Sequence, residues 1–132
     1  MTITIRPTEP ADLEALGYPA HPYRLRFKTM LDDGEIIGVG GLVHRSDGTV
    51  WVTVVLKDAA RRARFALHRA VLAGIREAKA RGIRRLLAIA DPSQPRSEAW
   101  LEACGFAPTE FSEAVPGADE PRRIWQWTAS ED

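Results

Sequence analysis

The chain has 132 residues, a 45% apolar share, and eighteen basic residues against eighteen acidic ones. That length and apolar share suit one globular domain with a real core and exclude a disordered chain. Zero net charge argues against a nucleic-acid or membrane-surface binder, and no apolar run approaches the ~20 residues of a bilayer span.

Thr2 to Arg6 alternates as a first strand, without the charged start and apolar stretch of a signal peptide. Thr8 is placed to cap a helix between Pro10 and Gly17, with Leu13 and Leu16 on its apolar side. Two prolines make Tyr18 to Pro22 a loop. Leu25, Phe27 and Thr29 alternate with Arg24, Arg26 and Lys28, the pattern of a half-buried strand. Asp33-Gly34 and Asp47-Gly48 then predict tight turns either side of a strand from Glu35 to His44, and so an antiparallel meander. The third strand, Thr49 to Leu56, is nearly all β-branched or aromatic and is expected at the sheet centre.

Asp58 is placed to cap a long helix ending at Arg81 before Gly82, with Leu67, Ala70, Val71, Gly74, Ile75 and Ala78 as its apolar stripe. Ile83 to Ala90 is a buried strand, broken by Asp91-Pro92-Ser93-Gln94-Pro95. A short helix holding Ser97, Trp100 and Leu101 closes at Gly105, and Phe106 to Glu113 pairs with Arg122 to Thr128. The expected fold is α/β (α+β): a mixed, mostly antiparallel sheet of about seven strands flanked by three helices.

Three segments lie in that order with family-like sequences: Ile5-Arg6-Pro7-Thr8-Glu9-Pro10-Ala11-Asp12-Leu13, Asp33-Gly34-Glu35-Ile36-Ile37-Gly38-Val39-Gly40-Gly41, and Trp100-Leu101-Glu102-Ala103-Cys104-Gly105-Phe106. They resemble the first strand and helix, the second hairpin, and the late helix of the GCN5-related N-acetyltransferases (GNAT). The resemblance covers nearly the whole chain and implies one GNAT-like acyltransferase domain over residues 1–132. It implies acetyl-CoA as co-substrate, with the pantetheine arm along Val54, Val55 and Leu56 and the pyrophosphate at the start of the next helix. Family members build that start as Arg/Gln-x-x-Gly-x-Gly/Ala, where glycine lets phosphate approach the backbone amides.

Here the segment reads Arg61-Arg62-Ala63-Arg64-Phe65-Ala66-Leu67. Starting the motif at Arg61 puts Arg64 at the first glycine and Ala66 at the last position; starting at Arg62 puts Phe65 and Leu67 there. Neither register restores the glycines. Arg61, Arg62 and Arg64 offer side-chain capture of phosphate instead, against a plain solvated helix start. Gln94 aligns with a family asparagine, beside Trp100. Leu101 stands where many relatives carry a tyrosine able to protonate the leaving thiolate, and the acceptor-side second helix is reduced to the Pro19–Pro22 loop. Such reduced forms are similar to acetyltransferase-like proteins of tailed phages.

His44 and Glu35 are the candidate bases for an acceptor amine, each set against an ordinary surface role. The single cysteine, Cys104, excludes a disulfide framework, fits a reducing cytoplasmic setting and has no base nearby in sequence, so it reads as a small buried side chain. His21, His44 and His68 have no metal-ligand spacing. Gly38-x-Gly40-Gly41 precedes more strand and reads as a bulge or close strand packing. The expected activity is acetyl transfer to a small-molecule or peptide amine by direct attack on the thioester. The alternative is a catalytically inactive GNAT-like binding or assembly module, phage-related. A late strand carrying Trp125 and Trp127 offers an edge for a homodimer.

Overall fold

The structure is a computed structural model describing residues 2–18, 24–57, 60, 63–90, 96–115 and 118–129. Its elements are β1 (Ile3–Pro7), α1 (Pro10–Ala15), β2 (Arg24–Asp32), β3 (Glu35–His44), β4 (Val50–Leu56), α2 (Arg64–Ala80), β5 (Arg85–Ile89), α3 (Ser97–Ala103), β6 (Ala107–Glu113) and β7 (Arg122–Thr128). They form one seven-stranded sheet in the order β1-β2-β3-β4-β5-β7-β6. Among the described strands only β4 and β5 pair in parallel, and α2 lies in the crossover between them.

The β2–β3 turn follows from its two residues. Asp33 and Gly34 both take positive φ, 48° and 84°, as a two-residue hairpin with the right twist requires. In the β3–β4 turn, Asp47 accepts bonds from the Thr49 amide at 2.9 Å and its hydroxyl at 2.6 Å.

Alternation along the strands sends two sets of side chains to opposite faces. Phe27, Val39, Val43, Trp51 and Leu87 form a core on which α1 sits through Leu13 and Leu16. On the other face, Ile75 and Ala78 of α2 and Leu101 and Cys104 of α3 pack with Leu86, Ala88 and Phe106. A smaller cluster of Met30, Ile37, Ala60 and Ala63 anchors the segment leading into α2.

Two helix starts differ from the sequence reading. Glu9, not Thr8, precedes α1; its amide donates to the Asp12 carboxylate at 2.8 Å, while the Thr8 hydroxyl pairs with that of Thr29 at 2.9 Å. Glu9 and Asp12 form a capping box, and the Thr8 hydroxyl is engaged by Thr29 instead. The long helix begins at Arg64 after Ala63. Asp58 itself lies outside the described residues. Burial of Ala60 and Ala63, 2% and 3% exposed, holds the preceding turn against Met30 and Ile37.

Asp12 is the one buried carboxylate among the described residues, 2% exposed. The Arg6 guanidinium donates to both of its oxygens at 2.6 and 2.8 Å, and Thr29 donates at 2.8 Å. These bonds tie β1, α1 and β2 together.

Candidate functional site

β4 pairs with β3 through all seven residues, Gly38↔Leu56 to His44↔Val50, but meets β5 only at Trp51↔Leu87. Beyond that rung the two parallel strands diverge, opening a gap at their C-terminal ends. The Lys57 amide donates to the Ile37 carbonyl at 2.9 Å. Successive residues of an extended strand turn their amide groups to alternate sides. Thr53 and Val55 therefore face β3, whereas Val54 and Leu56 face the gap with no strand partner.

α2 begins eight residues after the end of β4, and the segment leading into it packs through Ala60 and Ala63 on Met30 and Ile37. Ala63 precedes the helix without a side-chain cap, and no acid stands in its first turn, so its positive end is not neutralised from within. Arg64 and Phe65 follow, both exposed, with the guanidinium 5.0 Å from the centre of the phenyl ring. Phe65 is 69% exposed, unusual for so large an apolar side chain.

The sequence candidates separate as follows. Val54 and Leu56 direct backbone groups into the gap, whereas Ala63 is buried against Met30 and Ile37 and Arg64 and Phe65 are exposed at the start of α2. Val55 turns its backbone to β3 and its side chain to the α1 face. Trp100 is half-buried, packed against the α2–α3 core. Arg61, Arg62 and Gln94, like the Pro19–Pro22 loop, lie outside the described residues.

The two candidate bases are not brought together. Glu35 and His44 end a ten-residue strand, about 30 Å apart at ~3.3 Å per residue. Glu35 is exposed beside the β2–β3 turn, whereas His44 adjoins Val43, which faces Trp51 at the closed end of the gap. His44 Nε2 is buried with no hydrogen-bond partner among the described residues.

Two contacts join residues far apart in sequence. Arg45 donates to both Glu113 oxygens, at 2.5 and 3.1 Å, and lies 4.0 Å over the Trp51 ring, bracing the β1–β4 half of the sheet against the β5–β7–β6 half. Cys104 does have a base nearby, because His68 Nδ1 lies 3.7 Å from its sulfur. Burial pushes the Cys104 thiol up from its ordinary range, so it stays protonated, as a structural thiol does. Among the described residues no three potential ligands converge on a metal position, and no helix is long and apolar enough to cross a membrane.

The Acetyltransferase (GNAT) family model matches residues 4–106, and the chain belongs to that family. The solved structures agree on the fold. A Bacillus subtilis acetyltransferase in complex with CoA superposes with a TM-score of 0.70 at 18% identity, covering 98% of this chain and 100% of that one. A Bacillus anthracis protein in complex with acetyl coenzyme A gives 0.70 at 15%, covering 98% and 100%. The ribosomal-protein-S18-alanine N-acetyltransferase of Escherichia coli gives 0.69 at 18%, covering 99% and 98%. Among curated proteins no sequence matches this chain significantly.

Proposed function

We propose that the whole chain, residues 1–132, is a single acetyl-CoA-dependent N-acetyltransferase domain that acetylates a small-molecule or peptide amine by direct attack on the thioester. The observation that carries this reading is the one-rung contact between β4 and β5, which leaves the backbone of Val54 and Leu56 facing an open gap. An extended amide-bearing chain such as pantetheine fits such an edge, because it supplies the missing strand bonds. The uncapped start of α2 suits the pyrophosphate. Arg61, Arg62 and Arg64 offer charge-assisted side-chain donors in place of the glycine cradle, and Ala63, Phe65, Gln94 and Trp100 are the further candidates for cofactor contact. Residues 61–96 hold ten Lys/Arg and two Asp/Glu, so zero net charge conceals a basic segment suited to a polyanion.

When bound, acetyl-CoA supplies an activated acetyl group. The chain orients the reactants and removes a proton. Of the two candidate bases, His44 suits that role better, since its Nε2 is buried without a hydrogen-bond partner among the described residues, whereas Glu35 is exposed beside the β2–β3 turn. The S18-alanine enzyme acts on a protein amine by its name, which keeps peptide acceptors beside small amines for this chain. The single buried cysteine suits a reducing cytoplasm.

A second reading, a GNAT-like assembly module without turnover, draws on Leu101, 6% exposed, where many relatives carry a tyrosine. Calorimetric titration with CoA, paired with mass detection of acetylated amines and peptides, separates the two. Micromolar binding that weakens about tenfold in Arg64→Ala is expected from loss of one charge-assisted phosphate contact. Absence of binding at millimolar CoA would sink the enzyme reading, and binding without transfer to any amine would favour the assembly module.

A further inference from the structure

A cavity of about 410 Å³ lies under α2, on the face of the sheet away from α1. Its floor is Gly38 and Gly40 of β3 with Val54 and Leu56 of β4, and its roof is Ala70 and Gly74 of α2. That volume falls within the ~300–1,000 Å³ of small-ligand sites.

The glycines around it are not alike. A Cβ on Gly38 would come 2.7 Å from Leu56 Cδ2, and one on Gly40 3.2 Å from Val54 Cγ2, so packing accounts for both. A Cβ on Gly74 would meet nothing within 4 Å. Glycine is among the poorest residues in a helix interior, and Gly74 is the eleventh residue of seventeen in α2. Nothing in the packing requires it there. Its one structural effect is to keep the cavity open.

The mouth is charged. Arg26, Lys28 and Arg81 are exposed in the lining, against one carboxylate, Glu77, which pairs with Arg81 at 2.9 Å and Lys28 at 3.6 Å. Three cations facing one acid leave an excess of positive charge above an apolar interior. We propose that this cavity is a binding site for an amphipathic aliphatic carboxylate, whose chain lies between Gly40 and Gly74 and whose carboxylate meets Arg26 and the more loosely paired Lys28. The site is separate from the β4–β5 gap, which it touches only through the side chains of Val54 and Leu56.

The test uses decanoate, decylamine and the whole chain in calorimetry and thermal unfolding. Decanoate is expected to bind one to one with a Kd on the order of 100 μM, and decylamine not to saturate. Gly74→Ala should raise Tm by helix propensity and still bind decanoate. Gly74→Leu should raise Tm by roughly 5 °C yet weaken decanoate at least about tenfold by occupying its space. Lys28→Ala should weaken decanoate several-fold with the cavity intact. Failure of decanoate to saturate the native chain, or undiminished binding to Gly74→Leu, would overturn the proposal.

Discussion

Asp12→Ala is expected to destabilise the protein by about 3 kcal/mol, lowering Tm by roughly 10 °C. The variant removes the acceptor for both Arg6 donors, for the Glu9 amide and for the fully buried Thr29 hydroxyl. Leaving buried donors unpaired costs more than the mean worth of a hydrogen bond. The half-exposed Arg6 regains some water, which keeps the loss at the lower end for a broken buried pair. The effect carries a pH signature. The Arg6 guanidinium, then the Glu9 amide and the Thr29 hydroxyl, hold the Asp12 carboxyl well below the usual carboxylate range, against the opposing pull of burial. A depressed native value means that the unfolded chain takes up the proton more readily. The Asp12 contribution is therefore complete above the ordinary carboxylate value near ~4 and is lost as pH falls below it. Urea titrations of the native chain and Asp12→Asn at pH 7, 5 and 3 should show the stability gap narrowing at pH 3. A gap that stays constant across that series would refute this account.

Gly41→Ala is expected to be the most damaging single-methyl change in the sheet, at about 3 kcal/mol or more. Gly41 pairs with Phe27 across the β2–β3 ladder. A Cβ there would clash with the Arg26 carbonyl oxygen and come 2.8 Å from Phe27 Cα. Both are backbone atoms of a paired strand, so relief requires parting β2 from β3 under the α1-side core. Gly40→Ala is the milder control, since its Cβ would come no nearer than 3.2 Å to Val54 Cγ2 and 3.3 Å to the Thr53 carbonyl oxygen. Circular dichroism melts of the two variants decide it; equal Tm values for Gly41→Ala and the native chain would show that the ladder absorbs the methyl.

What could be read from sequence here follows from range. Asp33-Gly34 names its own turn, because positive φ at two adjacent residues is a local demand. The stripe from Leu67 to Ala78 names the face of α2 by its spacing alone. The start of that helix was harder, because Ala60 and Ala63 are fixed by Met30 and Ile37, some thirty residues earlier. The same distance hid the Arg6–Asp12–Thr29 network, the His68–Cys104 contact and the Arg45–Glu113 brace, which pair residues that no periodicity relates. The cavity under α2 was invisible for another reason. Gly38 and Gly40 on its floor read as a bulge or close strand packing, which the structure explains by their neighbours on β4, and nothing local marks Gly74 as the edge of a space.

The strand with two different sides has a consequence for solvent deuterium. Along β4 the amides of Thr53 and Val55 are locked to β3, while those of Val54 and Leu56 look into the gap. Exchange along the strand should therefore alternate, slow then fast, residue by residue, in a stretch that is continuous β-structure by every other measure. A ligand lying along the gap would silence the fast members and leave the slow ones as they were. An NMR spectrum of this one strand, before and after CoA, would thus register occupancy as the loss of a two-residue rhythm.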